Sequence, residues 1–293
     1  MIYSTRCPGK INIGLRILGE RRDGFHDLDT IFCQIALGDL LEFLPGDKRL
    51  TLAVDSHIDI GSPEDNLIIR AARAFEDLTG IPVTGTWRLR KNVPPAAGLG
   101  GGSSDAAGAL RILQQVHGFP LENEDLFRCA AGIGSDVPFF LLGGMARGRG
   151  KGDRLERLAW PGDLFIVLVV YDTGLSTAVI YDRYRSGDRP EARNRMDLVA
   201  MIRGITEGEC STIENDLAPA AYALRPELKN DIELLSRMNF SAAGMSGSGP
   251  TTYGITGSKD HAKSAYLELE RMGRNAILTR FRPTVPGIVV KDA

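Results

Sequence analysis

The segment Gly98-Leu99-Gly100-Gly101-Gly102-Ser103-Ser104 carries the residue types most directly suited to chemistry. Glycines have no Cβ, so their backbone N–H groups can converge on one anion, and a helix starting there adds the positive end of its dipole. That combination binds phosphate. The whole stretch runs from Pro94, with Pro95, Ala96 and Ala97 leading into the glycines. It is not a Walker loop, since no Lys follows in G-x-x-x-x-G-K-S/T spacing, and it lacks the spacing and following acid of a dinucleotide fingerprint. The plain alternative is a flexible linker, but a linker would not sit tightly between a strand pattern and a helix pattern. Ser103 and Ser104 either cap the helix or turn their hydroxyls to phosphate or a magnesium ion, and both can hold together.

A second glycine-rich segment runs from Ala243 to Thr252 and includes Gly247 and Ser248. Alone it is a tight loop. Two such loops in a chain of this size fit one anionic ligand gripped from two sides. A third loop, Gly19 to Asp27, is polar and carries one aromatic, Phe25, and one histidine, His26, so it too can hold a ligand.

Recognisable elements must position these loops. Residues 10 to 18, Thr30 to Ala36 and Leu50 to Val54 are short apolar or alternating runs that predict strands. Ser62-Pro63-Glu64-Asp65 predicts a helix start, with Leu67, Ala71, Phe75 and Leu78 as its apolar stripe. Thr86 to Lys91 predicts a half-buried strand feeding the phosphate loop, and Asp105 to Val116 the helix that leaves it. In the second half, Leu164 to Val170 predicts a strand buried on both faces, and Pro226 to Met238 and Lys259 to Met272 predict helices. No repeat period and no low-complexity tract appears.

The bulk properties bound the possibilities. With 293 residues, the chain suits two domains or one large α/β domain. We place the boundary in the stretch from Lys151 to Trp160, giving domains 1–155 and 156–293. Lys plus Arg number 35 against 37 Asp plus Glu, a net charge of −2 that offers no basic field for a polynucleotide. Cys7, Cys33, Cys129 and Cys210 are scattered, with no metal-ligand spacing, which argues against structural zinc and a disulfide framework. The N-terminal residues leave no room for a signal peptide, and the longest apolar run, Leu164 to Tyr171, is too short to span a bilayer. A cytoplasmic protein with no nucleic-acid or membrane partner is expected.

Three segments, in order, resemble the motifs of the GHMP kinases, the family named for galactokinase, homoserine kinase, mevalonate kinase and phosphomevalonate kinase. They are Pro8-Gly9-Lys10-Ile11-Asn12-Ile13, then Pro95 to Ser104, then Gly244 to Thr251. The resemblance implies an α+β fold of two domains, an N-terminal ribosomal-protein-like one and a C-terminal ferredoxin-like one, with the active site in the cleft between them. It implies ATP and Mg2+ as cofactors, the nucleotide phosphates lying on Pro95, Ala96, Ala97, Gly98, Leu99, Gly100, Gly101, Gly102, Ser103 and Ser104. It further implies that Asp136 accepts the proton of the substrate hydroxyl while Lys10 stabilises the developing charge. Phosphoryl transfer asks for such a base and cation, because positioning and charge neutralisation do most of its work. Without the resemblance, Lys10 reads as a solvated strand residue and Asp136 as a helix or turn cap.

The Gly19 to His26 loop and Gly134-Ser135-Asp136-Val137-Pro138-Phe139-Phe140 resemble the branch of the family whose substrate is a cytidine-diphosphate sugar alcohol. By that likeness His26 hydrogen-bonds the cytosine edge and Phe25 stacks on its ring, with Tyr181 on the other face. Asn12 orients the substrate, Gly247 and Ser248 contact it, and Ser104 is the protein's magnesium ligand. Gly9 stands where alanine is usual in the branch, and Phe25 where tyrosine is common; neither removes a needed functional group. Two other readings are a homoserine or mevalonate kinase, which would lack the cytosine pocket, and a silent nucleotide-binding protein. The protein is expected as a monomer or homodimer.

Overall fold

The computed structural model describes residues 1–46, 49–56, 62–159, 162–187, 197–207 and 211–292; Trp160, at the end of the expected boundary stretch, and Cys210 lie outside them. Two long strands organise the molecule. β1 (Ile2–Glu20) and β2 (His26–Pro45) pair antiparallel, from Tyr3 opposite Phe43 to Glu20 opposite His26. Both run well past the strands expected over 10–18 and 30–36. Charged and amide side chains interrupt the apolar alternation, yet they find partners inside: Asp29 pairs with Arg147, Asp39 with Lys91, and Gln34 donates to the carbonyls of Arg282 and Thr284. A satisfied polar side chain is tolerated where an unsatisfied one would end the strand.

After β3 (Thr51–Asp55), a single 3-10 turn (Pro63–Asp65) occupies the place where the sequence predicts a helix start. α1 (Leu67–Thr79) begins beyond it because the Asn66 side chain accepts from the Ile68 N–H at 3.0 Å, a local cap that competes successfully with Ser62. Its buried face includes Ile68, Ala71, Ala72 and Phe75, while Leu78 is 48% exposed. β4 (Gly85–Arg90) lies parallel to β3, and the phosphate-loop sequence connects it to α2 (Gly101–Val116). α2 starts four residues before the predicted Asp105, so the glycines form its first turn.

α3 (Asn123–Ile133), α4 (Val137–Leu142), β5 (Met145–Gly150) and β6 (Arg154–Arg157) complete the first half. The second half comprises β7 (Phe165–Val169), α5 (Thr177–Ser186), α6 (Leu198–Thr206), β8 (Ser211–Thr212), α7 (Ala218–Leu224), α8 (Glu227–Arg237), β9 (Ala242–Met245), β10 (Thr252–Thr256), α9 (Lys259–Arg271) and β11 (Ala276–Arg280). Its sheet has the order β11-β7-β10-β9-β8. The first sheet has the order β12-β1-β2-β4-β3, with β5 on β2 and β6 on β5; β12 (Val289–Lys291) is the last strand of the chain, returned to pair with β1. The fold is therefore α+β, with two units of sheet and helices. No helix among the described residues is long and apolar enough to cross a membrane.

Successive strand residues face opposite sides, and here the alternation divides structure from chemistry. Ile11 and Ile13 of β1, with Ile31, Cys33 and Ile35 of β2, pack against Ile166, Leu168, Tyr253 and Ile255 of the second sheet. Each fully buried apolar side chain of this kind is worth about 1.5–3 kcal/mol, enough together to hold the two sheets in one arrangement. Their neighbours Lys10, Asn12, Thr30 and Phe32 point the other way, into a cavity.

Candidate active site

The cavity has a volume of about 880 Å3 and takes its walls from both halves of the chain. Lys10 and Asn12 form its floor. Lys10 is 4% exposed, and its Nζ donates to Asn12 Oδ1 at 2.6 Å and to the Gly98 carbonyl at 2.9 Å, and stands 3.7 Å from Asp136 Oδ2. Burial lowers its pKa, with Asp136 opposing the shift. Asn12 is held in turn: its Nδ2 donates to Thr30 Oγ1 at 2.9 Å, and Thr30 donates to the Gly14 carbonyl at 2.6 Å. Lys10 is thus a buried, directed cation and not a solvated strand residue.

Asp136 occupies the position before α4 but makes no side-chain cap hydrogen bond. Its carboxylate is turned to Lys10 and the cavity, so the structure does not use it as a helix cap.

The phosphate loop is fixed by close contacts that require glycine. A Cβ on Gly98, whose φ is +74°, would lie 2.3 Å from the Ser246 carbonyl oxygen; one on Gly100, at φ +68°, would meet Phe140 at 2.9 Å and Lys10 Cε at 3.1 Å. The Leu99 carbonyl accepts from the Lys10 N–H at 2.9 Å, locking the middle of the loop to β1. Gly100 is the cap residue of α2 and supplies no side-chain acceptor, so neither Ser103 nor Ser104 caps the helix. Gly100, Gly101, Gly102 and Ser103, where α2 begins, line the cavity, and the unbonded N–H groups of a helix's first turn are suited to hold an anion. Pro95, Ala96 and Ala97 also line it. Leu99 is buried at 1% exposure and contributes backbone only, while Ser104, 2% exposed and off the cavity wall, has an Oγ without a protein hydrogen-bond partner.

At the opposite end, His26 is 5% exposed, with its ring centroid 4.9 Å from that of Tyr181 and 6.0 Å from that of Tyr184. Its Nε2 is 3.8 Å from Glu20 Oε1. Phe25 is 54% exposed, and the Lys151 ammonium sits 4.9 Å from its ring centroid. All four of Phe25, His26, Lys151 and Tyr181 line the cavity. Burial raises the Tyr181 pKa, so its hydroxyl stays neutral. From the second half, Gly247 and Ser248 close the side of the cavity: a Cβ on Gly247 would lie 3.1 Å from Asn12 Oδ1, and Ser248 Oγ is 3.0 Å from Thr177 Oγ1.

Several residues that the sequence reading passed over belong to this site. Ser246 is fully buried; its Oγ donates to the Gly98 carbonyl at 2.8 Å and accepts from the Asn12 N–H at 3.3 Å, joining all three glycine-bearing segments. Asn215 Nδ2 donates to the Met245 and Gly247 carbonyls at 3.0 and 2.8 Å. Lys91 Nζ sits between two buried carboxylates, 2.5 Å from Asp39 and 3.0 Å from Asp105. Burial pushes Asp105 up to about 8, against the pull of Lys91, while on Lys91 the two carboxylates together outweigh burial and raise it. Lys91 ends the strand pattern that feeds the loop, the one sequence signal that could have flagged it. Asp39, far away in sequence, gives none.

The chain matches two family descriptions, "GHMP kinases N terminal domain" over residues 66–144 and "GHMP kinases C terminal" over residues 191–275. It is similar to the 4-diphosphocytidyl-2-C-methyl-D-erythritol kinases of Pelotomaculum thermopropionicum, 36% identical over 97% of this chain and 99% of that one, and of Streptomyces avermitilis, 37% identical over 93% and 94%. It also resembles a crystal structure of 4-(cytidine 5'-diphospho)-2C-methyl-D-erythritol kinase, at a TM-score of 0.81 and 33% identity over 95% of this chain and 98% of that one. A homoserine kinase from Cytophaga hutchinsonii, 15% identical with a TM-score of 0.71 over 98% and 97% of the two chains, shares the fold. The chain belongs to the GHMP kinases and, within them, to the family of 4-diphosphocytidyl-2-C-methyl-D-erythritol kinases.

Proposed function

We propose that the protein transfers the γ-phosphoryl group of ATP to the 2-hydroxyl of 4-diphosphocytidyl-2-C-methyl-D-erythritol, giving the 2-phosphate and ADP, in the non-mevalonate route to isoprenoid precursors. The observation that carries this reading is the Lys10–Asp136 pair at 3.7 Å, set between a glycine loop on one side and the Phe25, His26 and Tyr181 rings on the other. The rings give a cytosine two kinds of contact, stacking on an aromatic face and a hydrogen bond from an imidazole. Lys151, above Phe25, is placed to meet the negative charge of a diphosphate.

In this mechanism the loop N–H groups and the start of α2 hold the nucleotide phosphates, and Asn12 keeps Lys10 pointed at the transferring group. Asp136 takes the proton of the attacking hydroxyl as its oxygen bonds to the γ-phosphorus and the bond to ADP breaks. The Lys10 ammonium offsets charge on the equatorial oxygens. Magnesium carried by the nucleotide would neutralise further phosphate charge; the Ser104 hydroxyl has no protein partner but lies off the cavity wall, so the metal would be held chiefly by the phosphates. Both halves of the chain line the cavity, and the protein acts as a monomer or homodimer. The scattered spacing of the four cysteines supports a reducing, cytoplasmic location.

The test is ADP release with Mg-ATP and the cytidyl acceptor, with homoserine and mevalonate as competitors. Turnover with the cytidyl acceptor alone is expected; turnover confined to homoserine or mevalonate would overturn the cytosine assignment while leaving a kinase.

A further inference from the structure

The phosphate loop is tied down at its start, middle and end, and only the middle contacts involve Lys10. At the start, the Asp39 carboxylate of β2 accepts from the backbone N–H of Asn92 at 2.5 Å and of Val93 at 2.8 Å, the two residues that bring the chain into Pro94. Asn92 Nδ2 returns the tie by donating to the Gly38 carbonyl at 3.0 Å. The other oxygen of Asp39 takes the Lys91 ammonium, which also bonds Asp105 Oδ2 in the second turn of α2, just past the loop. Asp39 is fully buried, Asp105 is 2% exposed and the Lys91 side chain 8%. The ammonium lies against the glycines: a Cβ on Gly101 would be 3.1 Å from Lys91 Nζ.

Such a cluster is a poor way to stabilise a core. Two buried carboxylates share one cation, and well-packed apolar groups in the same volume commonly hold a fold as well or better. What the cluster does provide is geometry. One carboxylate fixes the strand end and, through the lysine, fixes the helix start relative to it, so the span in which the N–H groups must converge has both ends set before any anion arrives. Preorganised donors of this kind matter because a displacement of about 1 Å can cost on the order of 100-fold in a positioned reaction.

We propose that Asp39 is a positioning residue for the nucleotide: buried beneath the loop and touching neither substrate, it sets the spacing between the end of β4 and the first turns of α2 through Asn92, Val93 and the Lys91–Asp105 bridge. The inference rests on the kinase reading for its meaning, but nucleotide binding can be measured apart from the acceptor. The experiment is MgADP affinity by calorimetry, with KM for ATP, KM for the cytidyl acceptor and kcat, in the wild type and Asp39→Asn. The substitution keeps an acceptor oxygen and the side-chain shape but removes the charge that holds Lys91.

The expected result is MgADP affinity weakened and KM for ATP raised by about tenfold or more, with the acceptor KM within about threefold of wild type. A folded Asp39→Asn protein with a lower melting temperature but unchanged MgADP affinity and KM for ATP would overturn the proposal, because a merely structural cluster acts only on stability. An equal rise in both KM values would overturn it too. If Asp39→Asn does not fold, Asp105→Asn replaces it, loosening the bridge at the helix end; a severalfold loss of MgADP affinity is then expected, and no loss would overturn the proposal. A wild type that binds MgADP but turns over none of the acceptors defeats the substrate assignment and leaves this test intact.

Discussion

The Lys10 ammonium lies 3.7 Å from the Asp136 carboxylate, one carried by the first strand and the other by the residue before α4. Each is held by its surroundings: Lys10 by Asn12 Oδ1 and the Gly98 carbonyl, Asp136 by the chain turn that places Val137 and Phe139 in the core. This brings a carboxylate and an ammonium to one point above the glycine loop, and it makes the first prediction specific.

Asp136→Ala should lower kcat by roughly 10²–10⁴-fold, the range for loss of a positioned general base. Its side chain is 28% exposed and makes no cap bond, so the melting temperature should stay close to wild type. Steady-state rates paired with thermal denaturation check this; a loss of activity matched by unfolding would argue for a structural role.

The pH dependence of kcat should show an upper limb set by Lys10. Burial lowers its pKa below the ordinary 10.5 and Asp136 partly restores it, so activity falls as pH rises through the folded-state value and the ammonium is lost. Replacing Asp136 with Asn removes the restoring charge, and the limb of the residual activity should move to lower pH. The same lowered pKa means that folding stability gains with rising pH between the folded-state value and 10.5, where the unfolded chain still holds its proton. Lys10→Met should lack both effects, visible in rate and melting profiles across that window.

Phe25→Ala should raise KM for the cytidyl acceptor by about 5- to 150-fold, the cost of one lost base–aromatic stack, and leave KM for ATP unchanged. His26→Ala should act in the same direction. Initial rates with each substrate varied in turn separate the two; a rise in KM for ATP instead would place these residues at the wrong end of the cavity.

Gly98→Ala should damage both nucleotide binding and stability. The new Cβ would sit 2.3 Å from the Ser246 carbonyl oxygen on a backbone at φ +74°, and strain of this type costs about 1–3 kcal/mol. A lower melting temperature together with weakened MgADP affinity is the expected pair of readings, whereas an unchanged affinity would mean that the loop tolerates the shift.

How much of this was visible beforehand depended on the range of the interaction. The phosphate loop was legible because its glycines are consecutive, and local backbone freedom is a property of residue type. The sequence predicts a helix start at Ser62 because Ser62 and Asn66 are both good caps; α1 begins beyond it, where the Asn66 side chain bonds the Ile68 N–H. The sequence predicts only residues 30–36 of β2, because Asp39, beyond that apolar run, finds its partner Lys91 far away in the chain. Asn215 and Asp39 have nothing adjacent that says what they hold, and Ser246, though inside the second glycine segment, takes its partners from Asn12 and Gly98, far away in the chain.

The sequence by itself determined the local pieces, the alternation that divides Ile11 and Ile13 from Lys10 and Asn12, the glycine loop, and a family resemblance strong enough to name the base and the cation. Tertiary structure alone decided that Lys10, Asp136 and the Gly98 carbonyl share one point and that Tyr181 packs on His26. It likewise decided that a buried aspartate governs both ends of the loop. The physical reason is that burial and pairing of charged side chains are set by contacts between segments far apart in the chain, and those contacts exist only once the two sheets have closed on their common core.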